Sequence, residues 1–226
     1  MKNKKINHAL IMAAGRGLRM KPLTNKIPKA MAPYLQSTLI SETLKNFKSN
    51  INNLHITVGY KGPILAKHVL ESGASSVLNT NGKGNSWWLY NTLLKYLNEP
   101  VFVMTCDNIF DTNLDKFEEE YYEKNCPACM IIPTKPKKGF DGDYIKHDRK
   151  FKILKISRKK KYNKLCSGLQ IINPSKINFL TKKRSSFYQI WNQLIQLDEI
   201  YCSKKLLNNW YAVDDINQLK IVNKIY

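Results

Sequence analysis

Hydrophobic and polar positions along the chain differ between its first and second halves. In the first half, short apolar runs alternate with segments whose apolar side chains recur at helical spacing. The runs predict strands at His8–Ala14, Leu54–Gly59, Ala74–Leu78 and Pro100–Asp107. The helical spacing predicts helices at Ser41–Lys48, Ile64–Glu71 and Asn85–Leu97. Strands that alternate with helices are typical of a parallel sheet that is covered on both faces.

The second half contains strand-like runs with few helices between them. The runs predict strands at Ala128–Pro133, Tyr144–His147, Phe151–Ser157 and Gly168–Ile172, and helices at Phe187–Gln196 and Ile216–Ile225. Strands without crossover helices favour antiparallel pairing. We therefore predict one α/β domain over residues 1–226, with a doubly wound, mixed but mainly parallel sheet and antiparallel additions in its second half.

Composition agrees with one soluble domain. The chain has 226 residues, of which 43% are hydrophobic, and this is enough for one sizeable core. No run of about 18 apolar residues is present, and the lysine-rich start has no signal-type apolar stretch, so we expect a cytoplasmic protein. Five irregularly spaced cysteines argue against a disulfide framework and favour reduced thiols.

The formal net charge of +20 attracts phosphates of every kind, so it does not by itself select a ligand. The chain is rich in lysine, asparagine and isoleucine together, a bias that raises the charge without selection for polyanion binding. Basic residues are dispersed, and the aromatic residues lie mostly within apolar periodic segments instead of alternating with Lys and Arg. We therefore expect neither nucleic acid nor a membrane as a partner.

A glycine-rich segment directly follows the first predicted strand and carries the strongest chemical signal. Gly15 and Gly17 allow main-chain N–H groups to approach phosphate oxygens, and Arg19 and Lys29 supply positive charge nearby. Met20 replaces the third glycine of a dinucleotide-binding motif, and no G-K-[ST] sequence completes a Walker loop. The segment therefore predicts a polyphosphate cradle of another type.

Residues 10–31 closely resemble the N-terminal signature of the sugar-1-phosphate nucleotidyltransferases, and the order of the later elements is similar over nearly the whole chain. The resemblance implies a Rossmann-like nucleotidyltransferase fold. It implies catalytic roles for Arg19 and Lys29, with Lys29 bridging the phosphate that is attacked. The implied nucleotide-binding residues are Leu10, Ala13, Ala14, Gly15, Gly17, Arg19, Gly84, Asn85 and Ser86.

Two aspartates are candidate ligands of a magnesium ion. Magnesium prefers one or two carboxylates together with phosphate and water oxygens. Asp107 ends a predicted strand at the binding edge, where the family has a metal ligand; a helix N-cap is the alternative role. The family pattern places the second ligand at Asp214, with Asp215 as a helix cap. Many sugar-specific members carry this aspartate two positions earlier, where Ala212 makes the chain resemble the phosphocholine cytidylyltransferase branch.

The acceptor site is implied by the resemblance. The resemblance assigns the acceptor phosphate to Lys159 and a nearby strand position to Gly168, although Arg158 and Lys160 replace the Glu and Pro that usually flank the lysine. A solvated charge run is the alternative for this segment. Trp88 either packs in the core or faces the acceptor, where an aromatic ring suits a sugar or a quaternary ammonium group.

The sequence thus predicts a magnesium-dependent enzyme whose partners are an NTP and a phosphorylated small molecule. The resemblance favours a sugar 1-phosphate, which would give an NDP-sugar and pyrophosphate. The first alternative is a phosphocholine cytidylyltransferase that makes CDP-choline. The alternative of another class is a non-catalytic nucleotide- or nucleic-acid-binding protein.

Overall fold

The computed structural model describes residues 5–48 and 51–225. The strands of these residues are β1 (His8–Met12), β2 (Pro33–Tyr34), β3 (Ser37–Thr38), β4 (Asn53–Val58), β5 (Ser76–Asn79), β6 (Val101–Thr105), β7 (Asn108–Ile109), β8 (Cys129–Thr134), β9 (Tyr144–His147), β10 (Ile153–Ser157), β11 (Leu165–Ile172), β12 (Ile200–Cys202) and β13 (Tyr211–Ala212). The helices are α1 (Leu39–Lys48), α2 (Gly62–Glu71), α3 (Trp87–Asn91), α4 (Asp115–Glu123), α5 (Pro174–Leu180), α6 (Phe187–Gln196) and α7 (Ile216–Ile225). The prediction of one domain over residues 1–226 also covers residues 1–4, 49, 50 and 226, which lie outside the described part of the chain.

Nine of the strands in the described residues form one mixed sheet. Its parallel part has the order β6-β1-β4-β5, and α1, α2 and α3 lie in the connections between these strands. β11 pairs antiparallel with β6 on one side and with β8 on the other. The hairpin β9–β10 joins the beginning of β11, and β12 pairs parallel with β8. The predicted mixed α/β sheet with antiparallel additions in the second half is confirmed.

Apolar side chains fill both faces of the sheet. In β1, Ala9 and Ile11 join one buried cluster, whereas Leu10 between them joins the other. β6 shows the same alternation, with Phe102 and Val103 in opposite clusters. Because successive strand residues point to opposite faces, an uninterrupted apolar run is the pattern of a strand that is covered on both sides. No helix of the described residues has the length and apolar content that a membrane crossing requires.

The carboxyl ends of three neighbouring strands lie level with one another. Met12 at the end of β1 is in register with Thr57 of β4 and with Thr105 of β6. Ligands of open α/β sheets bind beyond such ends, where loops can approach each other without covering helices. The fold therefore places the candidate site at this edge.

Several elements differ from their predicted form. The predicted helix at residues 85–97 ends at Asn91, because Thr92 has an extended backbone (φ −118°, ψ 170°) and its hydroxyl donates to the Trp88 carbonyl. A separate 3-10 turn then covers Leu93–Tyr96. The helix α5 was not predicted, although Asn173 accepts a hydrogen bond from the Lys176 N–H as its N-cap. The helix α4 and the three-residue strand β12 were also missed.

Candidate active site

The glycine-rich loop after β1 has a fixed shape. Gly17 has a left-handed backbone (φ +60°) and opens the 3-10 turn Leu18–Met20. A Cβ atom on Gly17 would lie 2.7 Å from Lys29 Cβ, so a larger residue would displace the lysine. Thr24 Oγ1 donates to the Gly17 carbonyl (3.0 Å), and the Tyr60 hydroxyl donates to the Thr24 carbonyl (3.0 Å). These contacts join the loop to the segment that follows β4.

A cavity of about 1090 Å³ opens over this loop, which is ample space for a nucleotide. Its walls are the glycine-rich loop, the carboxyl ends of β1, β4 and β6, and residues 80–85. A Cβ atom on Gly15 would meet nothing within 4 Å, so the main chain there is open to a ligand. The charged side chains that line the cavity are Arg16, Arg19, Lys29, Lys61, Lys83, Asp107 and Asp214. Accessible N–H groups and this excess of positive charge are suited to a polyphosphate.

Asp107 and Asp214 are distant in sequence but meet at the floor of the cavity. The short strands β7 and β13 pair directly after Asp107 and directly before residue 213, and the Val213 N–H donates to the Asp107 carbonyl (2.8 Å). Both carboxylates then contact one ammonium group, with Lys29 Nζ lying 2.7 Å from Asp107 Oδ2 and 3.1 Å from Asp214 Oδ1. Asp215 Oδ1 accepts from Gln218 N (2.8 Å) and so caps α7.

Opposite charges dominate the electrostatics of this floor. Burial disfavours the charged form of Lys29, whose side chain is 11% exposed, but Asp107 and Asp214 outweigh that cost and raise its pKa. Arg19 Nη2 lies 2.8 Å from Asp214 Oδ1 and supplies a second positive charge. Burial, together with the neighbouring Asp107, raises the pKa of Cys106 to about 12, so that thiol remains neutral.

The two carboxylates fit a divalent cation that is shared with a ligand. They already converge on a positively charged atom, Lys29 Nζ, and the Asn108 amide steadies Asp107 Oδ1 (3.2 Å). Within the described residues, no group of three or more His, Cys, Asp or Glu side chains is placed to hold a metal. Two carboxylates completed by phosphate and water oxygens suit magnesium, which seldom occupies a cage made only of protein ligands.

A second, smaller cavity of about 230 Å³ adjoins the first. The two cavities share Asp107 and Asp214, so any ligands that fill them would meet at the carboxylates. The wall of the smaller cavity comes from the loop before β9, the end of β10, the strand β11 and the helix α6. On this wall, Arg158 Nε lies 3.5 Å from Asp143 Oδ1.

Most of the predicted site residues line one of the two cavities. The larger cavity contains the predicted residues Ala14, Gly15, Gly17, Arg19, Lys29, Gly84, Asn85, Asp107 and Asp214. Gly168 lines the smaller one. A Cβ atom on Gly168 would collide with Asn108 and Thr105, and its φ of +80° also favours glycine. The structure therefore assigns Gly168 at least a conformational role beside the carboxylates.

Three predicted nucleotide contacts lie beneath the cavity surface. Leu10 is fully buried in the core, and Ala13 donates its N–H to Thr57 within the sheet edge. Ser86 is also fully buried, and its hydroxyl donates to the Arg184 carbonyl (2.8 Å). These side chains support the cavity wall but do not line it.

Two predicted acceptor contacts, Lys159 and Trp88, lie outside both cavities. Lys159 is exposed and lines neither cavity, because the turn that follows β10 carries it to the surface; Arg158 before it faces the smaller cavity. Trp88 is 1% exposed and packs against Phe187 in the core. Its helix α3 presents this face to the sheet, so Trp88 lines neither cavity.

Tyr60, Gln170 and Trp191 are among the cavity-lining residues that sequence patterns missed. Tyr60 follows the carboxyl end of β4 as the glycine-rich loop follows β1. Because ligands of open α/β sheets bind beyond the carboxyl ends of strands, its position in the sequence could have indicated a site residue. Gln170 and Trp191 lie on β11 and α6 and line the smaller cavity. Their positions within an apolar strand and an amphipathic helix carried no signal of a site.

The chain is similar in sequence and in fold to known proteins. A mannose-1-phosphate guanyltransferase from Debaryomyces hansenii is 24% identical over 207 residues, which cover 85% of this chain and 57% of that protein. The chain thus spans a little over half the length of the curated relatives it matches. A CTP:phosphocholine cytidylyltransferase structure from Streptococcus pneumoniae has a TM-score of 0.74 and 21% identity, covering 96% of this chain and 98% of that one.

A structure of UDP-glucose pyrophosphorylase with UDP-glucose has a TM-score of 0.77 and 16% identity, and covers 98% of both chains. At these identities the structural likeness establishes the fold. The model of one protein family, described as nucleotidyl transferase, matches residues 8–205, which include the glycine-rich loop and β1 to β12. The chain therefore belongs to the nucleotidyl transferase family.

Proposed function

We propose that this protein transfers a nucleoside monophosphate from a magnesium-bound NTP to a phosphorylated small molecule, most plainly a sugar 1-phosphate, and releases pyrophosphate. One observation carries the proposal: a glycine-rich loop and two carboxylates that are distant in sequence enclose one cation position between two cavities. The larger cavity suits an NTP, and the smaller one suits the acceptor.

The chemistry needs alignment and charge neutralisation more than it needs a protein nucleophile. The acceptor phosphate oxygen is already an anionic nucleophile, and it attacks the α-phosphorus as the bond to pyrophosphate breaks. Arg19 and Lys29 lie where they would neutralise the phosphate oxygens of the NTP. Magnesium held by Asp107 and Asp214 would supply further neutralisation of the oxygens around the α-phosphorus.

A sugar 1-phosphate is the acceptor that the relatives support. The curated relative from Debaryomyces hansenii is named for mannose 1-phosphate, and a solved neighbour contains UDP-glucose. Transfer to such an acceptor would give an NDP-sugar.

Phosphocholine is the second candidate acceptor, with CDP-choline as its product. The observation in its favour is that Asp141, Asp143 and Trp191 line the smaller cavity, because carboxylates and an indole ring both attract a quaternary ammonium group. Arg158 offsets part of that attraction through its contact with Asp143. Ala212, which also lines this cavity, agrees with the same branch.

Pyrophosphate release tests the proposal. The purified chain is incubated with Mg²⁺, each of the four common NTPs, and mannose 1-phosphate, glucose 1-phosphate or phosphocholine. We expect release with one combination and no release when the acceptor is omitted. Silence across a broad panel, together with nucleic-acid binding that survives physiological salt, would favour the non-catalytic alternative.

A further inference from the structure

A buried amide in the smaller cavity suggests how the acceptor is selected. Gln170 stands on β11 in register with Val103 of β6 and Ile131 of β8, and it is 4% exposed. Val103 and Ile131 belong to the apolar cluster beneath α6. Placing an amide among apolar side chains costs free energy unless its polar atoms are hydrogen-bonded, so the partners of Gln170 decide what it does.

The orientation of this amide is fixed by two donors. Trp191 Nε1 donates to Gln170 Oε1 (3.0 Å), and the Cys129 thiol donates to the same oxygen (3.3 Å). An indole N–H can only donate, so the atom it contacts must be the carbonyl oxygen of the glutamine. Burial raises the pKa of Cys129, so its thiol keeps the proton that it donates. The amide nitrogen Nε2 therefore points away from both donors.

The amide nitrogen keeps its two N–H groups available. Across residues 5–48 and 51–225, the side-chain hydrogen bonds of Gln170 are both accepted by Oε1. Among these residues, the one fully buried side-chain nitrogen or oxygen without a hydrogen-bond partner is Trp88 Nε1. Gln170 Nε2 therefore has no hydrogen-bond partner but is not fully buried. Because Gln170 lines the smaller cavity, this nitrogen is accessible from it. A ligand in this cavity would be its hydrogen-bond partner.

We infer that Gln170 is a specificity-determining residue that donates an amide hydrogen bond to a hydroxyl oxygen of the acceptor. This inference rests on the proposed function and selects between its two acceptors. A hexose 1-phosphate carries several hydroxyl oxygens beyond its phosphate, and any of them can accept from Nε2. A trimethylammonium group has no acceptor atom and leaves the amide unpaired. A site built to hydrogen-bond a hydroxyl rejects ligands that lack it.

Calorimetric titration tests this assignment without turnover. The protein is saturated with Mg²⁺ and a non-hydrolysable NTP analogue, and mannose 1-phosphate, glucose 1-phosphate and phosphocholine are titrated separately. We expect at least one sugar phosphate to bind about 10-fold or more tightly than phosphocholine. Gln170→Met should weaken that sugar phosphate about 10-fold to 100-fold and change phosphocholine binding less than about twofold. Equal sugar-phosphate binding by the variant, or tighter binding of phosphocholine by the unchanged protein, would overturn the assignment.

Two controls separate a ligand contact from a structural role. Gln196→Met makes the same exchange on the exposed end of α6 and should leave every affinity unchanged. The phosphocholine affinity of Gln170→Met is the second control, because a distorted cavity wall would weaken the binding of both acceptors, whereas loss of the N–H donor weakens only the sugar phosphate.

Deoxygenated substrates repeat the test on the unchanged protein. Among hexose 1-phosphates that each lack one hydroxyl group, one should bind about 10-fold to 100-fold more weakly, and the Gln170→Met variant should not distinguish it from the parent sugar phosphate. Indifference of the unchanged protein to every deoxygenation would contradict the inference. Binding that depends on Gln170 but gives no pyrophosphate release would support the inference and contradict the proposed function.

Discussion

The two cavities that meet at Asp107 and Asp214 are built in different ways. The larger one takes most of its lining from two continuous stretches, within residues 12–19 and at residues 80–85, together with Lys29 and the carboxyl ends of β4 and β6. The smaller one is assembled from many separated places, among them the loop before β9, the residue after β10, the strand β11, the helix α6 and the strand β13. A continuous stretch leaves a motif that can be recognised in sequence, whereas an assembled wall becomes visible only after folding. Four predictions test whether the two cavities also work differently.

Loss of the shared carboxylate should have the largest effect. Asp107→Asn removes a charge that both cavities use, and we expect turnover to fall on the order of 10³-fold with little change in melting temperature. Mn²⁺ binding in the presence of an NTP analogue, followed by electron paramagnetic resonance, should weaken in parallel. Asp111→Asn, an exposed aspartate four positions later, is the matched control. Full activity of Asp107→Asn would remove this carboxylate from the reaction.

Lys29 lines the larger cavity and contacts both carboxylates, so its loss should have the second-largest effect on turnover. Lys29→Met removes the ammonium group that neutralises Asp107 and Asp214, and turnover should fall about 10²-fold to 10³-fold. The freed carboxylates should at the same time bind Mn²⁺ more tightly when no NTP is present. Lys26→Met changes an exposed lysine of the same loop and should do neither. Unchanged Mn²⁺ affinity in Lys29→Met would show that this lysine does not occupy the cation position.

Two glycines of the loop should separate binding from stability. Gly15→Ala adds a Cβ that meets no protein atom within 4 Å, so it should raise KM for the NTP about 10-fold while melting temperature is preserved. Gly17→Ala adds strain at φ +60° and a collision with Lys29, and should lower stability by about 1 kcal/mol or more as well. Gly139→Ala, at φ +84° in open space outside both cavities, reports the strain alone. If Gly15→Ala binds NTP normally, the loop does not approach the phosphates.

The smallest effect should lie in the smaller cavity and should discriminate between two neighbouring residues. Arg158→Gln removes a charge that faces this cavity and should raise KM for the acceptor about 10-fold, with KM for the NTP unchanged. Lys159→Gln removes an exposed charge and should change neither constant. Steady-state kinetics with each substrate varied in turn measures both values. The reverse ranking would support the role in binding the acceptor phosphate that the resemblance implies for Lys159.

The fold was largely predictable because its signals are local. The apolar run at His8–Met12 and the amphipathic helix Phe187–Gln196 carry their periods within one segment, and Ser186 accepts a hydrogen bond from Tyr188 N at the start of that helix. The break at Thr92 was not predictable, since it depends on the backbone turning back to pack 93–96 against α5. The strand β12 was missed because three residues are too few to show a period.

The candidate site was predictable only as far as its motif extends. The glycine-rich loop and Asp107 follow strands that the sequence marks, and Lys29 and Asp214 were assigned through the family pattern. The approach of Asp214 to Asp107 depends on the β7–β13 ladder, whose two-residue strands leave no signal. Trp88 is a residue that the sequence suggested for the site but that packs in the core. The sequence alone does not show which way its helix turns the side chain.

The fate of labelled phosphorus distinguishes transfer of the nucleoside monophosphate from transfer of the terminal phosphate. NTP labelled at either the α- or the γ-phosphorus is incubated with Mg²⁺, the active acceptor and the protein, and the products are separated. We expect the α-label in a nucleotide joined to the acceptor and the γ-label in pyrophosphate, in equal amounts, with both lost in Asp107→Asn. Transfer of the γ-label to the acceptor, or its release as orthophosphate, would contradict the proposed function.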